Sequence, residues 1–390
     1  MKSSILTLFL SLILGTTLAH GATLFVHTGQ DLQSVIDSAN TGDIVNLLPG
    51  SHDGNLSVTN KDLTIRGAGN QMANISNISA IGSNVILQKL RMSSLITGIG
   101  NGSNKQVIVS QCEIGNIDAN TSHTIIQYSK VARLYAQNQV TITGCEFEGN
   151  NDGGIGIDLD GSSVKALIQN SRIHSYKLDS LGDINQECIG IRVRNGASAR
   201  IVNNLIHGCK DRMHNGNETN SGFGIFIGPA SSAFIYGNIL WDCYVSRYYT
   251  HSDNPTGALI CSFGQATISH NILWQFTPDI YEGGHTREVQ ITLKEAQATH
   301  SILADPKFTD LTNGNFTLAS NSPAINAGPP DPQYNDRDGS RNDIGMFGGH
   351  NFIPDGRTTD KPIVLGLDVA PIAVPVGGTV TIESTGATVK

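Results

Sequence analysis

The chain has 390 residues with 43 glycines, only 15 % charged residues and a net charge of −8. The acidic balance offers no general attraction for nucleic acid or anionic membranes. The glycine content with so few charges fits many tight turns better than amphipathic helices. Six cysteines without a Cys-x-x-Cys pair argue against a structural zinc site.

Residues 1 to 21 read as a secretory signal peptide, with Lys2, the apolar run Ile5 to Leu14 and small residues at Ala19, Gly21 and Ala22. The mature protein is therefore expected outside the cytoplasm, extracellular or periplasmic. Export permits disulfides, and Cys209 with Cys243, like Cys112 with Cys145, read as equivalent places in successive repeats. They suit either a bridge or a row of buried thiols.

After a first strand at Leu24 to Val26, apolar residues at 32, 35, 36 and 39 predict a short amphipathic helix, capped from the Thr28 to Asp31 region. It is placed across the open end of a repetitive fold, where it hides a pairing edge. Short strands follow at Ile44 to Leu47, Leu56 to Val58 and Leu63 to Arg66, separated by Asn and Gly turns.

From Gly154 to Trp274 one pattern returns about every 34 residues. Gly154-Ile-Gly-Ile-Asp-Leu-Asp, Gly190-Ile-Arg-Val-Arg, Gly224-Ile-Phe-Ile and Gly257-Ala-Leu-Ile are each followed by a second strand. In those strands Ile168, Ile201, Ile235 and Ile268 form one column, and Ser171, Asn204, Asn238 and Asn271 another. Short alternating strands at a fixed period describe coils that bury their apolar side only against neighbouring coils. The fold class expected is all-β, a solenoid of stacked strand coils spanning residues 22–350, with residues 351–390 as a β tail or the start of an accessory module.

The order of capping helix, Gly42-Asp-Ile-Val, Pro49-Gly turn, Leu63-Thr-Ile-Arg-Gly-Ala-Gly69 and repeated Gly-Ile-x-Ile coils resembles the right-handed parallel β-helix proteins of the pectate-lyase-like superfamily. Asn321-Ser-Pro-Ala-Ile-Asn-Ala-Gly328, followed by Asp336-Arg-Asp-Gly and Asp343-Ile-Gly, is similar to the closing segment of many secreted bacterial members. The resemblance implies a carbohydrate-active protein on a polysaccharide, lyase-like or glycoside hydrolase-like, with a non-catalytic glycan-binding or adhesion protein as the alternative. Arg-x-Pro-x-x-Arg of pectate lyases, Gly-His-Gly of polygalacturonases and Asp-Pro-His-Glu of mannuronan epimerases are absent, so no catalytic residue carries over by motif.

Candidate residues come from phase and alternation. Each long coil carries an insertion just before its glycine strand: Tyr176 to Glu187, Lys210 to Ser221, Tyr244 to Thr256 and Phe276 to Glu288. Equal phase places them on one side, as the wall of a groove. Tyr176, Tyr248, Tyr249 and Arg212 in these insertions suit sugars, and Asp183 and Glu187 suit calcium. With Ile157 and Leu159 inward, Asp158 and Asp160 face out beside Arg192 and Arg194 on the next coil. This set reads as an acid and base pair, a calcium ligand set, a uronate subsite, or cross-strand salt bridges. For elimination, Arg192 and Arg194 are the expected neutralisers and His214, His251 or Lys294 the base. Trp241 and Trp274, stacked in one column with His174 and His207, read as a sugar platform or as a plug under the loops. A monomer is expected, with no nucleic acid and no membrane span.

Overall fold

The computed structural model describes residues 21–350 apart from 69–71, 99–103, 122, 179–186, 212–220, 246–256, 275–289 and 294–297, and also the strands Ile363–Ala370 and Thr381–Ala387. Of the segment read as a signal peptide, residues 1–20 lie outside the described residues.

Successive coils pair in parallel throughout residues 23–299. One sheet of twelve strands runs from Thr23–Val26 through Gln139–Thr143 and Ser232–Tyr236 to Ala298–Thr299. The second, of fifteen strands, begins with long strands such as Gly50–Thr59 and Leu90–Gly98 and divides further along. The division occurs at Lys130–Ala136. Its first half pairs with Glu146–Glu148 and its second half with Gly154–Asp160, so later coils carry a corner where earlier ones carry a continuous strand. Ile and Val columns fill the interior, among them Ile157, Ile191, Ile225 and Ile260, none more than 1 % exposed. This is the coil-on-coil burial that the period implies.

The helix Leu32–Ser38 covers the first coil with Leu32 and Ile36 buried. Its N-cap is Asp31, which accepts from the Ser34 backbone N–H at 3.2 Å.

Two inward columns explain the repeated letters. At one corner the Ser171, Asn204 and Asn238 backbone N–H groups donate to the side-chain oxygens of Asn204, Asn238 and Asn271 at 3.0, 2.9 and 2.9 Å. Each Asn amide also bonds backbone carbonyls, as Asn204 Nδ2 does to Ile168 O at 2.9 Å. Buried amides at a bend are thereby satisfied without water. Ser301 Oγ ends the row by accepting from Asn271 N, and Ser129 continues it upstream.

At the second corner a glycine is required by close approach. A Cβ on Gly190 would lie 2.7 Å from Gly224 O and 3.1 Å from Cys209 Sγ, and one on Gly224 3.2 Å from Cys243 Sγ. The equivalent residue one coil earlier is Gly156, not Gly154: Gly154 is the register partner of Cys188, and Gly257 that of Gly222. The sequence pattern is therefore two residues out at its first and last copies, because a strand can begin with glycine for its own turn.

All six cysteines are buried free thiols. Burial pushes Cys145 and Cys261 up to about 12, so they stay protonated at neutral pH. Cys209 and Cys243 do sit on adjacent coils, following the pairs His207 with Trp241 and Lys210 with Tyr244. Cys112 and Cys145 are two coils apart, with Ser129 between them, because the early coils are shorter than the period of the later ones.

After the last coil the chain turns back over the outside. Phe308–Asp310 and Asn315–Leu318 pair antiparallel, and Phe316, Ala324 and Ile344 bury against Leu205, Ile239, Trp241 and Ile272. The Asn-Ala-Gly and Asp-Ile-Gly motifs close onto the coils. Asn203 Nδ2 donates to Asp343 O at 2.8 Å and Asn170 Nδ2 to Gly348 O at 2.7 Å. In the tail, Ile363–Ala370 and Thr381–Ala387 form an antiparallel pair.

Candidate functional site

The strands either side of the division present one outward row, coil over coil: Asp118, Tyr135, Asp158, Arg192 and Phe226. Their chain neighbours Ile117, Leu134, Ile157, Ile191 and Ile225 point into the core. Alternation about buried neighbours thus fixes the outward set.

Asp158 is the centre of this row and only 8 % exposed. Its Oδ1 accepts from Arg192 Nε at 3.0 Å and Arg194 Nε at 3.1 Å, and its Oδ2 from Arg192 Nη2 at 2.8 Å and Arg194 Nη2 at 3.0 Å. Burial by itself would raise this carboxyl, but the hydrogen bonds and charges of Arg192 and Arg194 outweigh it and hold the group below the ordinary carboxylate range. Hydrogen bonding to Asp158 raises Arg194 in turn, against its burial. Arg192 Nη1 donates to Glu187 Oε2. Asp160 accepts from Arg194 Nη2 and Tyr135 Oη, both at 2.9 Å, and from Asn195 Nδ2 at 2.6 Å. Burial and then Asp160 raise the Tyr135 phenol above its usual value.

Beside this network a cleft of about 360 Å³ opens where the sheet divides, lined among others by Asn116, Asp118, Arg133, Tyr135, Asp158 and Glu187. Arg133 donates to Gly153 O at 3.0 Å and, among the described residues, forms no ion pair. Asn116, Asp118 and Arg133 are exposed.

The registry expected from the sequence is present: Asp158 faces Arg192, and Asp160 faces Arg194. The expectation that the two arginines stand open to a substrate carboxylate is corrected, because both forks are turned onto Asp158. Each Asp158 oxygen already faces two guanidinium donors, so this carboxylate is not left to enter a cation shell, whereas Glu187 accepts from Arg192 through Oε2.

Tyr176 is a correction. It is 0 % exposed, and its hydroxyl donates to Ala132 O at 2.5 Å. Its ring fills the corner that Cys209 and Cys243 fill one and two coils later, against Gly149 and Gly156. Trp241 is also corrected, being 3 % exposed. It stacks on His207 at 4.1 Å and lies under Phe308 and Phe316, with Trp274 tilted at 6.1 Å and packed in the same cluster. The column of two His and two Trp is in register as expected, but the returning chain covers it, so it is a plug and no sugar platform. His214, His251, Lys294, Arg212, Tyr248, Tyr249 and Asp183 lie outside the described residues. Of the insertions, three are described at their starts and two of these again at their last residues, Glu187 and Ser221. Lys177–Leu178, Lys210–Asp211 and Tyr244–Val245 pair in parallel as a small sheet, so these segments leave the coils in phase.

Sequence reasoning missed Asp118, Arg133 and Tyr135. The signal for them was alternation about Ile117, Leu134 and Ala136 in the less regular early coils.

Comparison with protein families matches residues 131–275 to a right-handed β-helix region. Among solved structures, pectate lyase Pel9A is 14 % identical, with 84 % of this chain and 96 % of that chain covered and a TM-score of 0.52. A mutant of the PL6 family alginate lyase AlyGC is 14 % identical, covering 77 % and 57 % at a TM-score of 0.30. A mannuronic acid specific polysaccharide family 6 lyase from human gut microbiota is 10 % identical, covering 69 % and 83 % at 0.31. No curated protein sequence matches the chain. The likeness to Pel9A and the matched region establish the fold as a right-handed parallel β-helix.

Proposed function

We propose that this right-handed parallel β-helix is an exported, carbohydrate-active protein that holds a polysaccharide in the cleft beside Asp158 and cleaves it, lyase-like or hydrolase-like. One observation carries the reading: the cleft is lined by charged and hydroxyl-bearing side chains in a row fixed by strand registry, Asp118, Tyr135 and Asp158, which Arg192 continues on the next coil. Rigid, pre-oriented polar groups suit a chain of hydroxyls, because little ordering remains to be done on binding. Pel9A, named as a pectate lyase, shares the architecture, which supports a polysaccharide as the class of ligand. In this reading the acid or base comes from the segments that carry His214, His251 or Lys294.

A second reading, glycan retention without cleavage, is favoured by the saturation of Asp158. A carboxylate held ionised by two guanidinium groups is no proton donor, and Asp160 is similarly engaged. Incubation of the purified protein with neutral and uronate glycans, with and without calcium, separates the readings. New reducing ends or unsaturated products support cleavage. Retention of an unchanged polymer supports binding alone, and neither retention nor products overturns both.

A further inference from the structure

We infer that the occupant of this cleft is a neutral, hydroxyl-rich polysaccharide, and that its chain runs from Asp118 past Arg192 onto an aromatic step formed by Phe226 and Phe263. This rests on the glycan role proposed above and adds the class of glycan.

Charge is the first observation. The cleft lining and the groups bound to it bring four carboxylates, Asp118, Asp158, Asp160 and Glu187, against three guanidinium groups, Arg133, Arg192 and Arg194. The neighbouring Arg192 and Arg194 are spent on Asp158, Asp160 and Glu187. A uronate lying here would bring one further anion per sugar beside Asp118, with Arg133 as the one lining guanidinium outside the Asp158 network to receive it. Neutral sugar hydroxyls meet no such penalty. They donate to the outward oxygens of Asp118 and Glu187 and accept from Arg133, and the Tyr135 hydroxyl lies in the same wall.

The second observation is independent of charge. Phe226 is the register partner of Arg192 on the next coil. Its ring lies 5.8 Å from that of Phe263 and 5.3 Å from that of Phe223. Phe223 is buried beneath with Ile189, Ala258 and Cys261, while Phe263 is 45 % exposed. An isolated exposed phenylalanine is ordinary. Here it stands at the end of the polar row, supported from below, and offers a flat apolar surface to the C–H face of a pyranose. Elimination requires a proton acidified by an adjacent carboxyl group, so with this occupant the cleavage open to the protein is hydrolysis. Water oxygen bonds the anomeric carbon, the glycosidic C–O bond breaks, and a proton passes to the leaving oxygen.

Titration calorimetry of the full-length protein with soluble xylan, glucomannan and mixed-linkage β-glucan, against polygalacturonate and alginate, without divalent cations and again with calcium, tests the inference. At least one neutral polymer is expected to bind ~10-fold tighter than either polyuronate, about 1.4 kcal/mol. Phe263→Ala is expected to weaken that binding by ~5-fold while leaving the unfolding midpoint unchanged, as suits an exposed side chain. Preference for a polyuronate, in either condition, overturns this inference and leaves the glycan role standing. Failure to bind any polymer overturns both. Neutral binding indifferent to Phe263→Ala and to Phe226→Ala overturns the aromatic step.

Discussion

Asp158 and Arg192 are 34 residues apart in the chain yet are register partners on adjacent coils, joined by two parallel hydrogen bonds of 3.0 and 2.8 Å. A second arginine, Arg194, repeats the same fork on the same carboxylate. The arrangement is bidentate twice over, which fixes the outward face of two coils more firmly than a single flexible ion pair does.

Removing the carboxylate leaves two partly buried cations facing one another. Asp158→Ala is expected to destabilise the protein by about 2 kcal/mol, more than Arg194→Ala does, because it removes four charge-assisted hydrogen bonds at once and leaves Arg192 with Glu187 and Arg194 with Asp160 as their remaining anions. Urea unfolding of both variants measures this, and equal midpoints would refute the central role of Asp158.

The same group sets an acid limit. Its folded-state pKa is depressed, so its contribution is complete above the unfolded value of about 3.9 and is lost as pH falls below it. Glu146 acts in the same direction, held down to about 2 first by its hydrogen bond to His174 and then by the charges of His174, Lys130 and Arg172, against the penalty of burial. Unfolding midpoints should fall steeply below about pH 4, and Asp158→Ala should flatten part of that slope.

Asp336 in the closing segment behaves oppositely. Burial, then Asp343 and Asp338, push it up to about 7 despite hydrogen bonds from the Gly349 and Asp343 backbone. A raised carboxyl pKa favours the protonated folded form. Stability of this segment should therefore decline as pH rises from about 4 through 7 and level off above. Below about 6.5 the buried, neutral His207 contributes with the reverse sign. The clean measurement is the difference between the wild type and Asp336→Asn, followed by hydrogen exchange at Ile344 and Gly345.

The buried asparagine row predicts a graded series. Asn204→Ala deprives the Ser171 N–H of its acceptor and should cost about 2–3 kcal/mol. Asn204→Ser should cost less, because Ser171 and Ser129 already fill this place in earlier coils. Thermal unfolding of the pair decides it, and the opposite order would contradict the ladder.

The corner occupied by Tyr176 gives a further test. Tyr176→Phe loses the bond to Ala132 O at a cost of about 1 kcal/mol. Gly156→Ala should cost about 1–3 kcal/mol, since its Cβ would fall 2.7 Å from Gly190 O and 2.6 Å from the Tyr176 ring. Glycan affinity per folded molecule should be unchanged in both.

The long coils could be read from the sequence because their period is constant: aligning Ile157 with Ile191 put Asp158 beside Arg192 without any coordinates. Tyr176 was misread, and the Trp241 column was left open between platform and plug, for one reason. An aromatic residue near an insertion is compatible with exposure or burial, and what decides is a partner distant in the chain, such as Phe308 and Phe316 over Trp241. The cleft was missed because it lies among early coils of unequal length. There, Asp118, Tyr135 and Asp158 form one row without any constant spacing to reveal it.

The amide row also has a polarity. Every asparagine oxygen in it accepts from the backbone N–H of the coil before and every asparagine backbone N–H donates to the coil after, while each Nδ2 also donates to a carbonyl of the coil before, and hydroxyl groups stand at both ends. A unit inserted or deleted between those ends would leave the pattern of donors and acceptors intact. The length of this molecule is thus adjustable in whole coils by gene duplication or loss, and the outward row of the proposed glycan site would lengthen or shorten in the same steps.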